Sequence, residues 1–177
     1  MVYVILADGF EEIEAITPID LMRRAGLEVK TVGIDKAVAT GSHNIPVGTD
    51  ITLDGVCLEN AQMVVLPGGP GHTLLCENGR VTALLKAANA NDVPIAAICA
   101  SPSVIGRLGF LRGKRGTCFP GFEKLCEGML YTGAPVETDG NYITSRGAGT
   151  SFAFALAIIE KLCSKDKADE IKASVQA

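Results

Sequence analysis

The chain has 177 residues, a formal net charge of −4 and a hydrophobic content of 47%. This length suits a single domain with a substantial core, and the composition is that of an ordinary globular protein. The net negative charge argues against a surface that binds the phosphate backbone of a nucleic acid. With three tyrosines and no tryptophan, the chain also has few aromatic side chains on which bases could stack. We therefore expect one domain over residues 1–177 and no nucleic-acid partner.

The ends of the chain and its cysteines bear on cellular location. The start, MVYVILADGF, has no basic leader and does not resemble a secretion signal. The late apolar run FAFALAII is too short to span a membrane. Six cysteines lack any C-x-x-C spacing, which favours reduced thiols over a disulfide framework. We expect a cytoplasmic protein with no membrane partner.

Motifs that bind metals or nucleotides are absent. His43 and His72 are the only histidines, and a structural zinc site needs four nitrogen or sulfur ligands at suitable spacing. No G-x-G-x-x-G opens the first helix, and no lysine follows the glycines of LPGGPGH. The later Gly113-Lys114 pair has Leu108 where a phosphate-binding loop needs glycine, and Arg115 where it needs Ser or Thr. We predict no metal ion and no cofactor.

Short apolar runs alternate with helical patterns along the chain. In chain order we predict a strand at 2–6, a helix at 11–25 closed by Gly26, a strand at 28–34, short strands and turns at 40–60, a strand at 61–69, a helix at about 78–90, a strand at 93–98, a helix from about 101, a short helix near 121–127, a strand at 141–146, and a last helix at 150–162 with a charged helical tail. This alternation predicts an α/β fold with a mostly parallel sheet covered on both faces.

Three predicted strands end in chemically suggestive segments. These are ADGFEEIE after the first strand, LPGGPGH after the strand at 61–69, and ICASP after the strand at 93–98. Ligands of open parallel sheets bind at the carboxyl ends of the strands. We expect a functional site where these segments meet.

Cys99 lies between the strand at 93–98 and the next helix. Ser101 is a favourable N-cap residue and Pro102 suits the first helical position. The free N–H groups and dipole of a helix start favour an anion, and they can lower the pKa of a thiol. Taken alone, the segment still favours an inert buried thiol.

Backbone N–H groups near Cys99 are candidates for an oxyanion hole. They belong to Ala100, beside the cysteine, and to Gly68 and Gly69 at the neighbouring strand end. Such groups stabilise the negative oxygen that forms when a nucleophile attacks a carbonyl.

The first helix carries one carboxylate on its apolar face. At about 100° per residue, Glu14 lies between Leu21 and Ala25 inside the apolar arc. Burial without a cationic partner raises the pKa of a carboxyl group. Glu14 is therefore our candidate proton carrier for Cys99.

Two neighbouring features bear on the role of Glu14. Pro18 lacks the N–H that would bond to the carbonyl of Glu14, which predicts a kink there. The alternative role, a first-turn carboxylate favoured by the helix dipole, fits Glu11 and Glu12 better, and Glu12 lies on the polar arc.

These segments together resemble the ThiJ/PfpI family over nearly the whole chain. The resemblance is carried by ILADGFEEIEAITPIDLMRRAG, VVLPGG, AAICASP and ITSRGAGTSFAFALAIIEKL. It is strongest to the branch of the Parkinson-associated protein deglycase and its bacterial relatives. The resemblance implies a flavodoxin-like three-layer sandwich and a homodimer. It also implies a low-pKa Cys99 that is hydrogen-bonded to a protonated Glu14 and readily oxidised to the sulfinate.

The resemblance implies cofactor-free glyoxalase chemistry on methylglyoxal, or removal of early glycation adducts from proteins. In this hypothesis the Cys99 thiolate attacks the aldehyde, and Glu14 moves a proton between the two substrate carbons. The alternative is a redox sensor or chaperone that uses the same cysteine. A third hypothesis, a cysteine peptidase or amidotransferase relative, would need His72 or His43 to approach Cys99 in space.

Four positions depart from the pattern of relatives. Phe119 precedes Pro120 where some relatives have histidine, and Ala100 stands where peptidase-like relatives have histidine. Ser101 replaces a glycine that is usual in the branch, and His43 takes the place of an arginine associated with the dimer interface. These departures leave a Cys99–histidine pair and the dimer geometry open.

Overall fold

The computed structural model describes all 177 residues, which form eleven strands and six α-helices. The strands are β1 (Val2–Leu6), β2 (Val29–Gly33), β3 (Val38–Thr40), β4 (Pro46–Gly48), β5 (Ile51–Thr52), β6 (Met63–Leu66), β7 (Ile95–Ile98), β8 (Arg115–Gly116), β9 (Leu130–Tyr131), β10 (Val136–Asp139) and β11 (Tyr142–Ser145). The helices are α1 (Glu12–Arg24), α2 (His72–Glu77), α3 (Gly79–Ala90), α4 (Pro102–Gly106), α5 (Ser151–Leu162) and α6 (Lys165–Ser174).

Seven strands form one sheet in the order β10-β11-β7-β6-β1-β2-β5. Every neighbouring pair is parallel except β10 with β11. From β1 the chain proceeds outward through β2 to β5, and it then returns to the other side of β1 at β6. The order of strands therefore reverses between β1 and β6, which is where open sheets of this kind bind ligands.

Side-chain alternation along the strands builds two cores. In β1, Val2, Val4 and Leu6 pack on the face covered by α1, α5 and α6. Tyr3 and Ile5 belong to the opposite core, which contains buried residues of α2, α3 and α4. Because both faces are covered, the strands are apolar at nearly every position. The predicted α/β, flavodoxin-like sandwich with a mostly parallel sheet is confirmed.

The predicted elements agree with the structure where periodicity is strong and differ in the loops. The predicted helix near 121–127 is instead a single 3₁₀ turn at Phe122–Leu125, preceded by Gly121 at φ 99°. The helix from about 101 has only five residues. Both α2 and β10 are absent from the predictions, because each is short and neither carries a sustained apolar pattern.

Helix α1 has the predicted orientation, with one exception. Glu14 and Pro18 are buried on its inner face, and the helix is not interrupted at Pro18. The kink at Pro18 stays a prediction. Glu12 was placed on the polar arc but is buried, because His43 and Ser42 of the β3–β4 loop cover its carboxylate.

None of the helices is both long enough and apolar enough to cross a membrane.

Candidate active site

Three segments meet at the carboxyl edge of the sheet, beside the reversal point. Cys99 directly follows β7, Gly68 and Gly69 follow β6, and Glu14 lies in the first turn of α1 behind β1. Parallel strands direct their carboxyl ends to the same edge, and this topology brings the sequence-predicted residues together.

The backbone of Cys99 is held in an unusual conformation. Its φ is 65°, in the left-handed region that non-glycine residues seldom adopt. Two hydrogen bonds hold this conformation: the Cys99 N–H donates to the carbonyl of Ser145 (2.9 Å), and the Phe119 N–H donates to the carbonyl of Cys99 (2.8 Å). Strain of this kind costs about 1–3 kcal/mol and persists where surrounding contacts enforce it, often at functional sites.

Gly68 lies between the carboxyl group of Glu14 and the side chain of Cys99. A Cβ atom on Gly68 would lie 2.5 Å from Glu14 Oε2 and 2.6 Å from Cys99 Cβ. Any larger residue would therefore force the two side chains apart. Glycine is required here for close approach rather than for an unusual φ.

Two of the three predicted oxyanion groups face the thiol. The N–H groups of Gly69 and Ala100 lie near the sulfur of Cys99 and lower the pKa of its thiol. The prediction for Gly68 is wrong, because its N–H donates to Glu14 Oε2 at 2.9 Å and is not free to bind a substrate oxygen. Gly68 positions the carboxyl group instead.

The carboxyl group of Glu14 is fully buried, as predicted. Oε1 has no hydrogen-bond partner, and the side chain of Cys99 approaches the carboxyl group beside Gly68. Burial raises the pKa of Glu14 to about 7, against the opposing effect of hydrogen bonds from Cys99 and Gly68.

The thiol of Cys99 is harder to ionise than the sequence argument suggested. Burial, followed by the negative charge of Glu14, raises the pKa of Cys99 to about 12, while the N–H groups of Gly69 and Ala100 oppose that rise. Helix α4 is too short to supply a strong dipole. The two groups behave as a pair that carries one negative charge. The thiolate therefore forms more readily while Glu14 holds a proton than while Glu14 is ionised.

The supporting residues after Cys99 differ in part from the prediction. Pro102 occupies the first position of α4, as predicted. Ser101 lies at the N-cap position, but its backbone is helical and its side chain caps no N–H group. Its hydroxyl instead donates to the carbonyl of Pro67 at 2.6 Å, joining the turn after β7 to the turn after β6.

A pocket of about 240 Å³ opens over the thiol. It is lined by Gly69, Pro70, His72, Cys99, Ala100, Phe119 and Phe122. His72 therefore approaches the cysteine in space, with Nδ1 3.0 Å from the carbonyl of Gly69. Sequence reasoning left the role of His72 open and missed Phe122, which has no signal in the sequence because a loop distant along the chain brings it here.

His43 lies outside this pocket, in a cluster with Glu11 and Glu12. Its Nδ1 is 2.9 Å from Glu12 Oε2, and this hydrogen bond raises the pKa of His43. Ser42 donates to both carboxylates. Although the ligand atoms of the three residues lie within 4.8 Å of one another, they already satisfy each other by hydrogen bonding.

Comparison with known proteins identifies the family of the chain. The sequence profile of the DJ-1/PfpI family matches residues 1–161. The chain belongs to the DJ-1/PfpI family. The crystal structure of Drosophila melanogaster DJ-1beta superposes on this DJ-1/PfpI protein with a TM-score of 0.93 and 36% identity, over 99% of this chain and 97% of the other.

Relatives from distant organisms match over similar lengths. The Parkinson disease protein 7 homolog of Danio rerio is 40% identical over 176 residues, which cover 96% of this chain and 93% of that protein. A Pyrococcus abyssi protein named as a deglycase is 31% identical over 163 residues, which cover 91% and 98%. The similarity between these relatives and this DJ-1/PfpI chain thus extends over the carboxyl edge of the sheet and the helices that cover the sheet.

Replacing Glu14 by Gln is expected to remove a pH-dependent loss of stability. Since the folded state raises the pKa of Glu14 from 4.5 to about 7, its stabilising contribution is complete below 4.5 and is lost as the pH rises through about 7. The shift corresponds to about 3 kcal/mol. The free energy of unfolding of Glu14→Gln, minus that of the wild type, should therefore rise by about this amount between roughly pH 4 and 8 in urea titrations.

Glu28→Gln is the matched control, because Glu28 is exposed and outside the site. Its difference from the wild type should stay constant across the same pH range. A constant difference for Glu14→Gln would contradict the raised pKa.

Proposed function

We propose that the protein is a cofactor-independent, cysteine-dependent glyoxalase or protein deglycase. Its substrates would be 2-oxoaldehydes such as methylglyoxal, or their early adducts on proteins. The observation that carries this proposal is the pairing of Cys99, on a strained turn, with a fully buried Glu14 whose pKa lies near neutrality. A relative that is named as a deglycase and matches over nearly its full length supports the same activity.

The first step of the proposed reaction is attack by sulfur. The Cys99 thiolate adds to the aldehyde carbon and forms a carbon–sulfur bond, giving a hemithioacetal. The N–H groups of Gly69 and Ala100, which face the sulfur, also face the oxygen that becomes negative beside it. Glu14 takes the proton released by the thiol and passes it to that oxygen, which becomes the hydroxyl of the hemithioacetal and leaves Glu14 as a carboxylate that can act as a base.

The second step moves a proton between two substrate carbons. Glu14 removes the proton from the former aldehyde carbon and returns a proton to the neighbouring carbon, so that the hemithioacetal becomes a thioester of a 2-hydroxy acid. A pKa near 7 allows one group to act as both base and acid at neutral pH. Water then hydrolyses the thioester, releasing the 2-hydroxy acid and restoring the thiol.

Replacing Cys99 by Ser should abolish the formation of lactate from methylglyoxal, because a hydroxyl is a much weaker nucleophile than a thiolate. Replacing Glu14 by Gln should lower kcat by about 10²–10⁴-fold, since the proton carrier is lost. Lactate would be assayed after chelator treatment. Cys163→Ser, which changes an exposed cysteine, should retain full activity. Unchanged turnover in Cys99→Ser would exclude this mechanism.

Redox sensing or redox-linked chaperone behaviour is a second candidate. It is favoured by the two N–H groups on the Cys99 sulfur, because a sulfinate in that position would find donors for its new oxygens. Two peroxide molecules would oxidise the thiol to the sulfinate and leave two waters. Six free cysteines fit a reducing, cytoplasmic location in which such a change acts as a signal.

Low concentrations of hydrogen peroxide should add two oxygen atoms to Cys99 before any other cysteine reacts. Cys57 and Cys163 are exposed, so they serve as internal controls for simple accessibility. Peptide mass spectrometry after graded peroxide treatment measures the order of oxidation. Equal oxidation of all three residues would argue against a sensor.

A homodimer is the assembly that we propose for this chain. Ile13 and Ile16 of α1 are 53% and 42% exposed, and Ile45 beside β4 is 53% exposed. Large apolar side chains that share an exposed surface commonly mark an interface. The cluster of Glu11, Glu12 and His43 lies beside them and would form part of its polar rim.

Ile13→Glu combined with Ile16→Glu should convert a dimer into a monomer, because each carboxylate would be desolvated in the interface. Size-exclusion chromatography with light scattering measures the mass. Leu130→Glu, at another exposed apolar residue, should leave the dimer intact. A monomeric wild type, or an unaffected double variant, would contradict the proposed interface.

A further inference from the structure

Three rings form one side of the pocket above Cys99, and we call His72, Phe119 and Phe122 the aromatic wall. The rings of His72 and Phe122 meet edge to face, with centroids 5.1 Å apart and planes at 84°. Phe119 and Phe122 meet in the same manner at 6.4 Å and 79°. All three side chains line the pocket that contains the thiol.

The aromatic wall is held in place by contacts to the reactive segments themselves. The backbone N–H of Phe119 donates to the carbonyl of Cys99, and Nδ1 of His72 bonds to the carbonyl of Gly69. Phe122 packs between these two anchored rings. Two of the three members of the aromatic wall are therefore hydrogen-bonded to the segments that carry Cys99 and Gly69.

Phe119 keeps much of its surface uncovered. It is 49% exposed, although a large apolar side chain gains stability from burial. It separates the pocket above Cys99 from a neighbouring cavity of about 520 Å³ that is lined in part by Arg146 and the segment 147–150. An apolar partner group placed against Phe119 would bury surface that the protein alone leaves in water.

The remaining residues around the pocket offer little to a polar substrate. Besides the aromatic wall and the thiol, the lining consists of Gly69, Pro70 and Ala100. No lysine, arginine or carboxylate side chain lines it. Recognition beyond the reacting carbonyl must therefore come from apolar and ring contacts.

We propose that this site takes 2-oxoaldehydes that carry an aryl ring, with the ring packed on the aromatic wall and the aldehyde carbon next to Cys99. The proposal rests on the proposed glyoxalase function and specifies its substrate class. An aryl group would meet the wall edge to face or offset, as aromatic pairs prefer. Methylglyoxal has only a methyl group to offer there, so it leaves the wall uncovered.

The first test compares phenylglyoxal with methylglyoxal as substrates. We expect kcat/KM to be about tenfold higher for phenylglyoxal, the gain expected of a favourable ring contact. Phe122→Leu and Phe119→Leu keep the pocket apolar but remove a ring, and each should reduce this ratio about three- to tenfold. Phe110→Leu is the matched control, because Phe110 stacks on Tyr142 outside the pocket, and it should leave the ratio unchanged.

A second test does not depend on turnover. Phenylglyoxylate and pyruvate are unreactive analogues with and without the ring, and each would be tested for slowing the alkylation of Cys99 by iodoacetamide. Phenylglyoxylate should protect at about tenfold lower concentration than pyruvate, and Phe122→Leu should remove that difference.

The outcomes separate the two proposals. If neither aldehyde is turned over, the glyoxalase function fails, and the protection assay still decides whether the pocket selects a ring. Equal kcat/KM for both aldehydes, equal protection by both acids, or a preference that survives both phenylalanine variants would overturn the aryl specificity.

Discussion

The site depends on one close approach, that of Glu14 and Cys99 across Gly68. The N–H of Gly68 binds one carboxyl oxygen, and the absence of a side chain at Gly68 lets the side chain of Cys99 come near the carboxyl group. A buried carboxyl group is tolerated there because it has a backbone donor and can stay protonated. The helix α1, the turn after β6 and the turn after β7 are thereby joined through two side chains and one peptide group.

The ionisation of Glu14 and the ionisation of Cys99 are coupled. The protonation state of Glu14 therefore bears on the reactivity of the thiol. Ionisation of Glu14 raises the pKa of the Cys99 thiol, so the thiolate that both proposals need forms more readily while Glu14 is protonated. The N–H groups of Gly69 and Ala100 favour the thiolate of Cys99. The burial of Glu14 favours the protonated form of its carboxyl group. A glyoxalase and a redox sensor would both exploit this balance, which explains why the same residues support both proposals.

The sequence predicts those features that follow from local pattern. The continuous apolar runs of β1, β6 and β7 predict a parallel sheet covered on both faces. The apolar period of α1 predicts the burial of Glu14. The φ of Cys99, the bond from Ser101 to Pro67 and the use of the Gly68 N–H by Glu14 were beyond prediction. Each depends on contacts between segments that lie far apart in the chain, and nothing in the local sequence marks them.

The two backbone hydrogen bonds of Cys99 have a consequence for motion. Since its N–H donates to the carbonyl of Ser145 in β11 and its carbonyl accepts from the N–H of Phe119, the two peptide groups that flank the Cys99 side chain are anchored to the sheet and to the segment that carries Phe119. Within this frame, the side chain of Cys99 can change position by rotation about its Cα–Cβ bond without any movement of the backbone. A displacement of the backbone at Phe119 would, in contrast, strain the hydrogen bond that it donates to the carbonyl of Cys99.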